Sequence, residues 1–282
     1  MCGRIVMLSV STQIAPGDSL STFEAMLKSV SFADELIIFN MERDDEAALS
    51  IFTKYKARVI KIKTPKIVEL IRERQVKEAK GDWVLIMDFD EVIPTVLRDE
   101  IISIIANYAS CSVYAIGRNN YSFGYPLSHG GWDSDYVVRL IRKIDFVSWP
   151  TNIHSSPVCR GGLLSARHHM EHRKNESLSQ MVTKTNRYSD IEATQFYAGR
   201  LPSVTAFTLL RKWWMESLRR GVFKRGLLDG SIGLIQSLYQ GFSVFISYAK
   251  LYERQSSNNP ELAKGLYAKQ HHLARVGILN KQ

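Results

Sequence analysis

Two rhythms of apolar and polar positions alternate along the first half of the chain. Ile5–Ser9 is a short apolar run that reads as a first buried strand. From Ser19 to Ser31, Leu20, Phe23, Leu27 and Val30 recur at helical spacing behind Ser19, an N-cap residue type. Glu35–Phe39 predicts a second strand, Asp45–Tyr55 a helix and Arg58–Ile62 a third strand. Ile67–Ala79 predicts a helix stopped at Gly81, and Trp83–Met87 a fourth strand. Pro94–Tyr108 predicts a helix with Pro94 near its first turn; Ser112–Gly117 and Tyr136–Ile141 read as further strands. Asn119–Gly131 reads as a loop and Trp149–Arg167 as irregular. Beyond Asn175 only the helical period remains, over Leu178–Tyr197, Pro202–Arg220, Ser231–Arg254 and Glu261–Val276. Strands alternating with helices imply βαβ units: an α/β fold, its sheet mostly parallel and covered by helices on both faces. The change of pattern predicts a first domain over 1–175 and a helical region over 176–282.

Charge sharpens that division. The chain has 282 residues and a net charge of +9. Residues 1–199 hold 24 basic and 24 acidic side chains, whereas 200–282 hold 13 and 4. A neutral body with a basic tail predicts that the tail meets something anionic. Three distant cysteines, Cys2, Cys111 and Cys159, form neither a disulfide framework nor a CxxC pair, which favours a reducing compartment. Met1–Val10 lacks the length and cleavage site of a signal peptide.

Open α/β sheets bind ligands beyond the carboxyl ends of their strands, and the chemistry-bearing residues follow strands here. Asp88-Phe-Asp-Glu91 comes directly after the fourth strand. Three carboxylates in four residues repel one another, and a hard cation such as Mg²⁺ or Mn²⁺ among them would relieve this. Asp88 and Asp90, two apart, share one side of an extended chain; a solvated loop capping the next helix is the plainer alternative. The second constellation is His129-Gly-Gly-Trp-Asp-Ser-Asp-Tyr-Val-Val-Arg139. Its glycines allow close backbone approach, Trp132 can stack on a sugar face, and Asp133 or Asp135 can act as a general base. Against this stands a β-turn with solvated acids. His168, His169 and His172 form a cluster that fits a loop at a site mouth better than a zinc site.

These pieces together resemble glycosyltransferase family 2, of the GT-A fold, and within it the bacterial enzymes that add glucose to the lipopolysaccharide inner core. The resemblance rests on Ser31-Phe-Ala-Asp-Glu-Leu-Ile-Ile, Lys80-Gly-Asp-Trp-Val-Leu-Ile-Met-Asp-Phe-Asp-Glu91, His129-Gly-Gly-Trp with Asp135-Tyr-Val-Val-Arg-Leu140, Asn186-Arg-Tyr-Ser189, Arg225-Gly-Leu-Leu-Asp-Gly230 and Tyr248–Arg254. It implies a metal-dependent inverting transfer of a hexose from a nucleoside-diphosphate sugar, such as a UDP-hexose. The acceptor it implies is lipid-linked or lipopolysaccharide-like, met at the cytoplasmic face of the membrane. Asp88 would lie near the ribose or the metal, Asp90 would be the main metal ligand, and His154 a third ligand with His172 as its rival. Asp135 matches the base of the closer relatives and Asp133 that of the wider family. Trp132 and Arg139 count with the donor-contacting residues. Asn40 stands where the family has a base-reading aspartate, so a weak or inactive enzyme acting as a scaffold is the alternative. A nucleotidyltransferase is a further rival, but the loop Ser11–Ser19 has no Lys or Arg to hold a triphosphate.

The tail has its own pattern. Phe207, Leu210, Trp214 and Leu218 step by three and four between Arg211, Lys212, Arg219 and Arg220. This predicts a basic amphipathic helix at an anionic membrane surface, with packing on the body or in a homo-oligomer as the alternative. Gly230–Ala249 is uncharged but rich in Ser, Gln and Gly, which favours an in-plane or hairpin helix over a span. Nucleic acid is not expected, because bulky aliphatics interleave the basic residues.

Overall fold

The computed structural model describes residues 6–107, 111–151, 155–174 and 177–257. The chain forms two compact units, Met1–Asn175 and Glu176–Gln282.

In the first unit β1 (Leu8–Ile14), α1 (Leu20–Ser29), β2 (Glu35–Met41), α2 (Glu46–Lys54), β3 (Arg58–Ile62), α3 (Glu69–Glu78) and β4 (Trp83–Met87) alternate as predicted. There follow β5 (Glu91–Val92), α4 (Thr95–Ala106), β6 (Cys111–Ser122), β7 (Tyr125–Leu127), β8 (Tyr136–Arg142), β9 (Phe146–Ser148), β10 (Val158–Cys159) and β11 (Gly162–Lys174). One nine-stranded sheet runs β3-β2-β1-β4-β8-β6-β11-β5, with β7 paired to β6. The β3–β2–β1–β4 half is parallel. β8 is inserted antiparallel to both β4 and β6, β11 runs parallel to β6, and β5 closes the far edge antiparallel to β11. The sheet is parallel-rich and mixed.

Alternation along the strands sorts side chains onto two cores. Trp83, Leu85 and Met87 of β4 pack with Phe23 and Leu27 of α1, Phe52 of α2 and Leu97 and Ile101 of α4. Val84 and Ile86 of the same strand pack on the other face with Ile71 and Val76 of α3 and with Trp149. Ser19 caps α1 by accepting from the Thr22 amide, and Asp45 caps α2 through the Ala48 amide.

Three expectations are corrected. The first strand starts at Leu8, because Ser9, Ser11, Thr12 and Gln13 are buried although polar. Asn119–Gly131 is no continuous loop: β6 runs to Ser122 and turns through Phe123 and Gly124 into β7. The histidine cluster lies on a strand, since β11 runs through the stretch expected to be irregular.

The second unit holds α5 (Leu178–Ala198), α6 (Ala206–Leu218) and α7 (Gly230–Ser257). Ser177 and Gln180 form a capping box at the start of α5. α6 and α7 are joined by a π turn, Arg219–Phe223, and a 3₁₀ turn, Gly226–Asp229. Ala193, Val204 and Leu251 form its buried apolar centre, with Phe196, Leu209 and Tyr248 around them. The helix expected at Glu261–Val276 lies outside the described residues. Among the described residues, no helix is long and apolar enough to cross a membrane.

Candidate active site

The carboxyl ends of β1 and β4 carry the first part of the site. Gln13, near the end of β1, donates through Nε2 to Asp88 Oδ1 at 2.7 Å. Arg72 of α3 also donates to Asp88 Oδ1, and Gln75 of the same helix donates to Gln13 Oε1 at 2.9 Å. From β8, Arg139 donates to Asp88 Oδ2 and to Glu91 Oε1. Glu91 Oε2 accepts the Asp88 amide at 2.9 Å, closing the turn. Burial pushes the Asp88 carboxyl up, but Arg139 and Arg72 more than reverse this and hold it well below the usual carboxylate range. Burial pushes the Arg139 guanidinium down; Asp88 and Glu91 beside it more than reverse this and raise it above its ordinary value.

β6 and β11 carry the second part. Arg118 of β6 grips Asp135 in a fork, Nε to Oδ2 and Nη2 to Oδ1, both at 2.9 Å. Its other nitrogen lies 3.6 Å from Glu91. Burial would raise the Asp135 carboxyl; the Arg118 bonds and charge outweigh it and lower the group. Asn120 donates through Nδ2 to the Trp132 carbonyl at 3.1 Å and to Asp135 Oδ2 at 3.0 Å. The amide is thereby oriented, and its Oδ1 meets His172 Nδ1 at 2.7 Å. Nδ1 is therefore the donor to Asn120, and the other ring nitrogen, Nε2, lies 3.5 Å from Asp90 Oδ2.

This arrangement revises the expectation about the acidic run. The protein itself relieves the repulsion around Asp88 and Glu91, with Arg72, Arg118 and Arg139. Asp90 has no guanidinium on it among the described residues; its side-chain partner is His172. Burial raises its carboxyl and His172 brings it below its ordinary value. A divalent cation fits here on donor chemistry: a carboxylate oxygen and an imidazole nitrogen converge, and the far ring nitrogen is fixed by a carbonyl oxygen, the outer-shell contact that orients metal-bound histidines. Asp88 does not fit the set, because both its oxygens are held by arginines. No group of three or more His, Cys, Asp and Glu converges among the described residues, and His154 lies outside them.

Two more expected contacts are corrected. Trp132 offers no open sugar-stacking face: it is 8% exposed, and its ring lies so close to Gly130 that a Cβ there would stand 2.0 Å from it. Asn40 is buried and turned onto its own loop, donating to the Arg43 carbonyl at 3.0 Å and accepting the Arg43 amide at 2.8 Å. Beside it lies a shallow pocket of 280 Å³ lined by Asn40, Glu42, Asp44, Lys61, Ile62 and Lys63. Asp133 is exposed.

The chain matches no protein-family profile. It is 24% identical over 278 residues to an uncharacterized glycosyltransferase of Rickettsia bellii (strain RML369-C), covering 91% of this chain and 90% of that protein. Solved structures similar to it include S. aureus TarS 1–349 in complex with UDP-GlcNAc, at 14% identity and TM-score 0.44, covering 92% of each chain. The chain spans 55% of the longer TarS chain. Another is the mannosyltransferase PcManGT of Pyrobaculum calidifontis in complex with GDP-Man and Mn²⁺, at 11% identity and TM-score 0.44, covering 95% of this chain and 80% of that one.

Arg72, Gln75, Gln13, Arg118 and Asn120 escaped the sequence reading. The signal available was weak: Arg72 and Gln75 lie three apart in a helix otherwise crowded with surface charge, yet both are buried. Arg118 and Asn120 sit two apart on a strand, the spacing that puts both on one face.

Proposed function

We propose that the chain is a nucleotide-sugar glycosyltransferase that transfers a hexose to a lipid-linked or lipopolysaccharide-like acceptor, with the GT-A arrangement of its first unit. The observation that carries this reading is the unequal treatment of the acids at the strand ends. Asp88, Glu91 and Asp135 are each held by arginines, while Asp90 has no arginine on it among the described residues and lies 3.5 Å from His172 Nε2. That is where a hard cation and the diphosphate it accompanies would complete the charge balance. The similarity to the Rickettsia bellii glycosyltransferase along nearly the whole length of both chains supports the same reading.

Asp90 and His172 would hold Mg²⁺ or Mn²⁺, which when bound stabilises the negative charge of the departing diphosphate. The rest of the chemistry belongs to the chain's own groups. Arg118 and Asn120 fix Asp135 as an anion. By the bonds described, Oδ1 of Asp135 accepts from Arg118 alone, which leaves a lone pair for an acceptor hydroxyl. Asp135 is the proposed base, taking that proton as the hydroxyl attacks; Asp133 is the alternative. One base and no protein nucleophile give inversion. Arg139 and Arg72 act by holding Asp88 and the Asp88–Glu91 turn in shape.

The test is donor binding by calorimetry and thermal shift, with UDP and GDP sugars in the presence and absence of Mn²⁺. A ligand at 100-fold its Kd should add about 2.7 kcal/mol of stability. Asp90→Ala should lose the Mn²⁺-dependent part while remaining folded. Unchanged Mn²⁺-dependent binding in that variant removes Asp90 from its proposed role, and no binding of any nucleoside diphosphate removes the function.

A further inference from the structure

The α6–α7 hairpin is packed inside out. Its contact line is made of small and polar residues: Ser217, Gly221 and Gly226 against Gly233, Ser237 and Gly241. A Cβ on Gly233 would stand 1.8 Å from the Gly226 carbonyl oxygen, and one on Gly241 2.1 Å from Ser217 Oγ. Ser217, Gln236 and Ser237 are buried. The large apolar side chains point the other way. Twelve of them between Phe207 and Phe242 are more than a third exposed, with Phe207 at 73%, Phe223 at 77% and Leu228 at 67%. A helix pair assembled by water would bury those residues and expose the serines. Close packing through glycine and serine, with bulky aliphatics outward, suits helices whose surroundings are themselves apolar.

Charge identifies the surroundings. Glu216 takes both Arg219 and Arg220, which removes these two from the cations available to a partner. Arg211, Lys224 and Arg225 are exposed and have no carboxylate partner among the described residues. Lys224 and Arg225 stand between Phe223 and Leu227 at the joined end of the hairpin. Exposed apolar residues interleaved with unpaired cations complement a bilayer with anionic headgroups better than a protein surface of mixed charge. The hairpin is too polar inside to cross, in keeping with the lack of a spanning helix among the described residues.

We propose that the joined end of the α6–α7 hairpin inserts Phe223 and Leu228 into the headgroup–acyl boundary of an anionic lipid bilayer, with Lys224 and Arg225 against the lipid phosphates. This surface shares no residue with the candidate active site, and its assay needs no nucleotide, so its failure is distinct from failure of the proposed function. The full chain is floated with phosphatidylcholine vesicles, with and without phosphatidylglycerol. Binding is expected on the anionic vesicles and weaker on the neutral ones. Lys224→Gln and Arg225→Gln should each weaken binding ~fivefold on anionic vesicles. Phe223→Asp with Leu228→Asp should cut binding on both at least ~tenfold, with an unchanged circular dichroism melt, because both positions are exposed. As a readout independent of those variants, brominated lipid should quench fluorescence in the wild-type chain that is missing from Trp214→Phe. Absence of flotation on anionic vesicles overturns the proposal, and so does binding that the paired aspartates leave intact. Wild-type chain that binds no vesicle, but forms a dimer dissociated by the paired aspartates, overturns it in favour of a second copy on this face.

Discussion

Glu91 and Arg139 form the most demanding contact of the site, since their side chains are 0% and 6% exposed. Breaking a buried pair costs about 3–5 kcal/mol when the remaining charge has no other partner; here Asp88 still faces Arg139 and Arg118 still lies near Glu91, so the cost falls below that range. Glu91→Gln should lower the urea midpoint accordingly, and more than Asp90→Asn, whose partner is an imidazole. Asp135 makes a milder prediction with a pH signature. Its folded-state pKa is depressed, so its stabilising contribution is present above its unfolded value of about 3.9 and lost as pH falls through the folded value. The stability difference between wild type and Asp135→Asn should be largest above about pH 5 and shrink below about pH 4. A difference that stays constant across that range would show that Arg118 does not charge-stabilise Asp135. In turnover, Asp135→Asn should keep donor binding and lose about 10²–10⁴-fold in rate. That pattern appearing in Asp133→Asn alone would transfer the base role to Asp133.

At the scale of elements, what was legible follows burial. β2 and β4 are apolar runs buried on both faces, and they fall within two residues of where the pattern puts them. β1 was misplaced because its buried face carries Ser11, Thr12 and Gln13, residues needed at the strand ends. β11 was missed for a related reason. Arg167, His168, His169, His172 and Arg173 give no alternating apolar signal, and the strand is held instead by pairing along β6 and by Met170 and His172 facing inward. The acidic run was visible as a local oddity; the arginines that balance it come from α3, β6 and β8 and could not be paired with it from spacing alone. The same limit hid the α6–α7 packing, since the stripe of large apolar residues gives helix but not which stripe faces the partner. Gly241→Val tests the packing directly. The added side chain would meet Ser217 Oγ and the Trp213 carbonyl, and such overpacking costs about 1–3 kcal/mol. Proteolysis within the α6–α7 hairpin should accelerate, while donor binding by the full chain persists.

For the whole molecule, the two units differ most in charge: residues 1–175 carry +1 and residues 176–282 carry +8. A transferase whose acceptor is embedded in a membrane gains by residing there, because the encounter then becomes two-dimensional. On the proposed insertion, charge attracts the chain and apolar burial retains it, and salt separates the two. Raising ionic strength from 0.1 to 1 M shortens the screening length from about 10 Å to about 3 Å, while the burial of Phe223 and Leu228 is unscreened. Transfer to an acceptor held in anionic vesicles should therefore fall with salt to a plateau above zero. With Phe223→Asp and Leu228→Asp the plateau should vanish, and the apparent KM for the embedded acceptor should rise at least ~tenfold. Transfer to a soluble acceptor analogue should be indifferent to the same substitutions, since neither residue belongs to the candidate active site. Equal loss with both acceptors would instead mean that the hairpin serves the fold of the enzyme and not its placement on lipid.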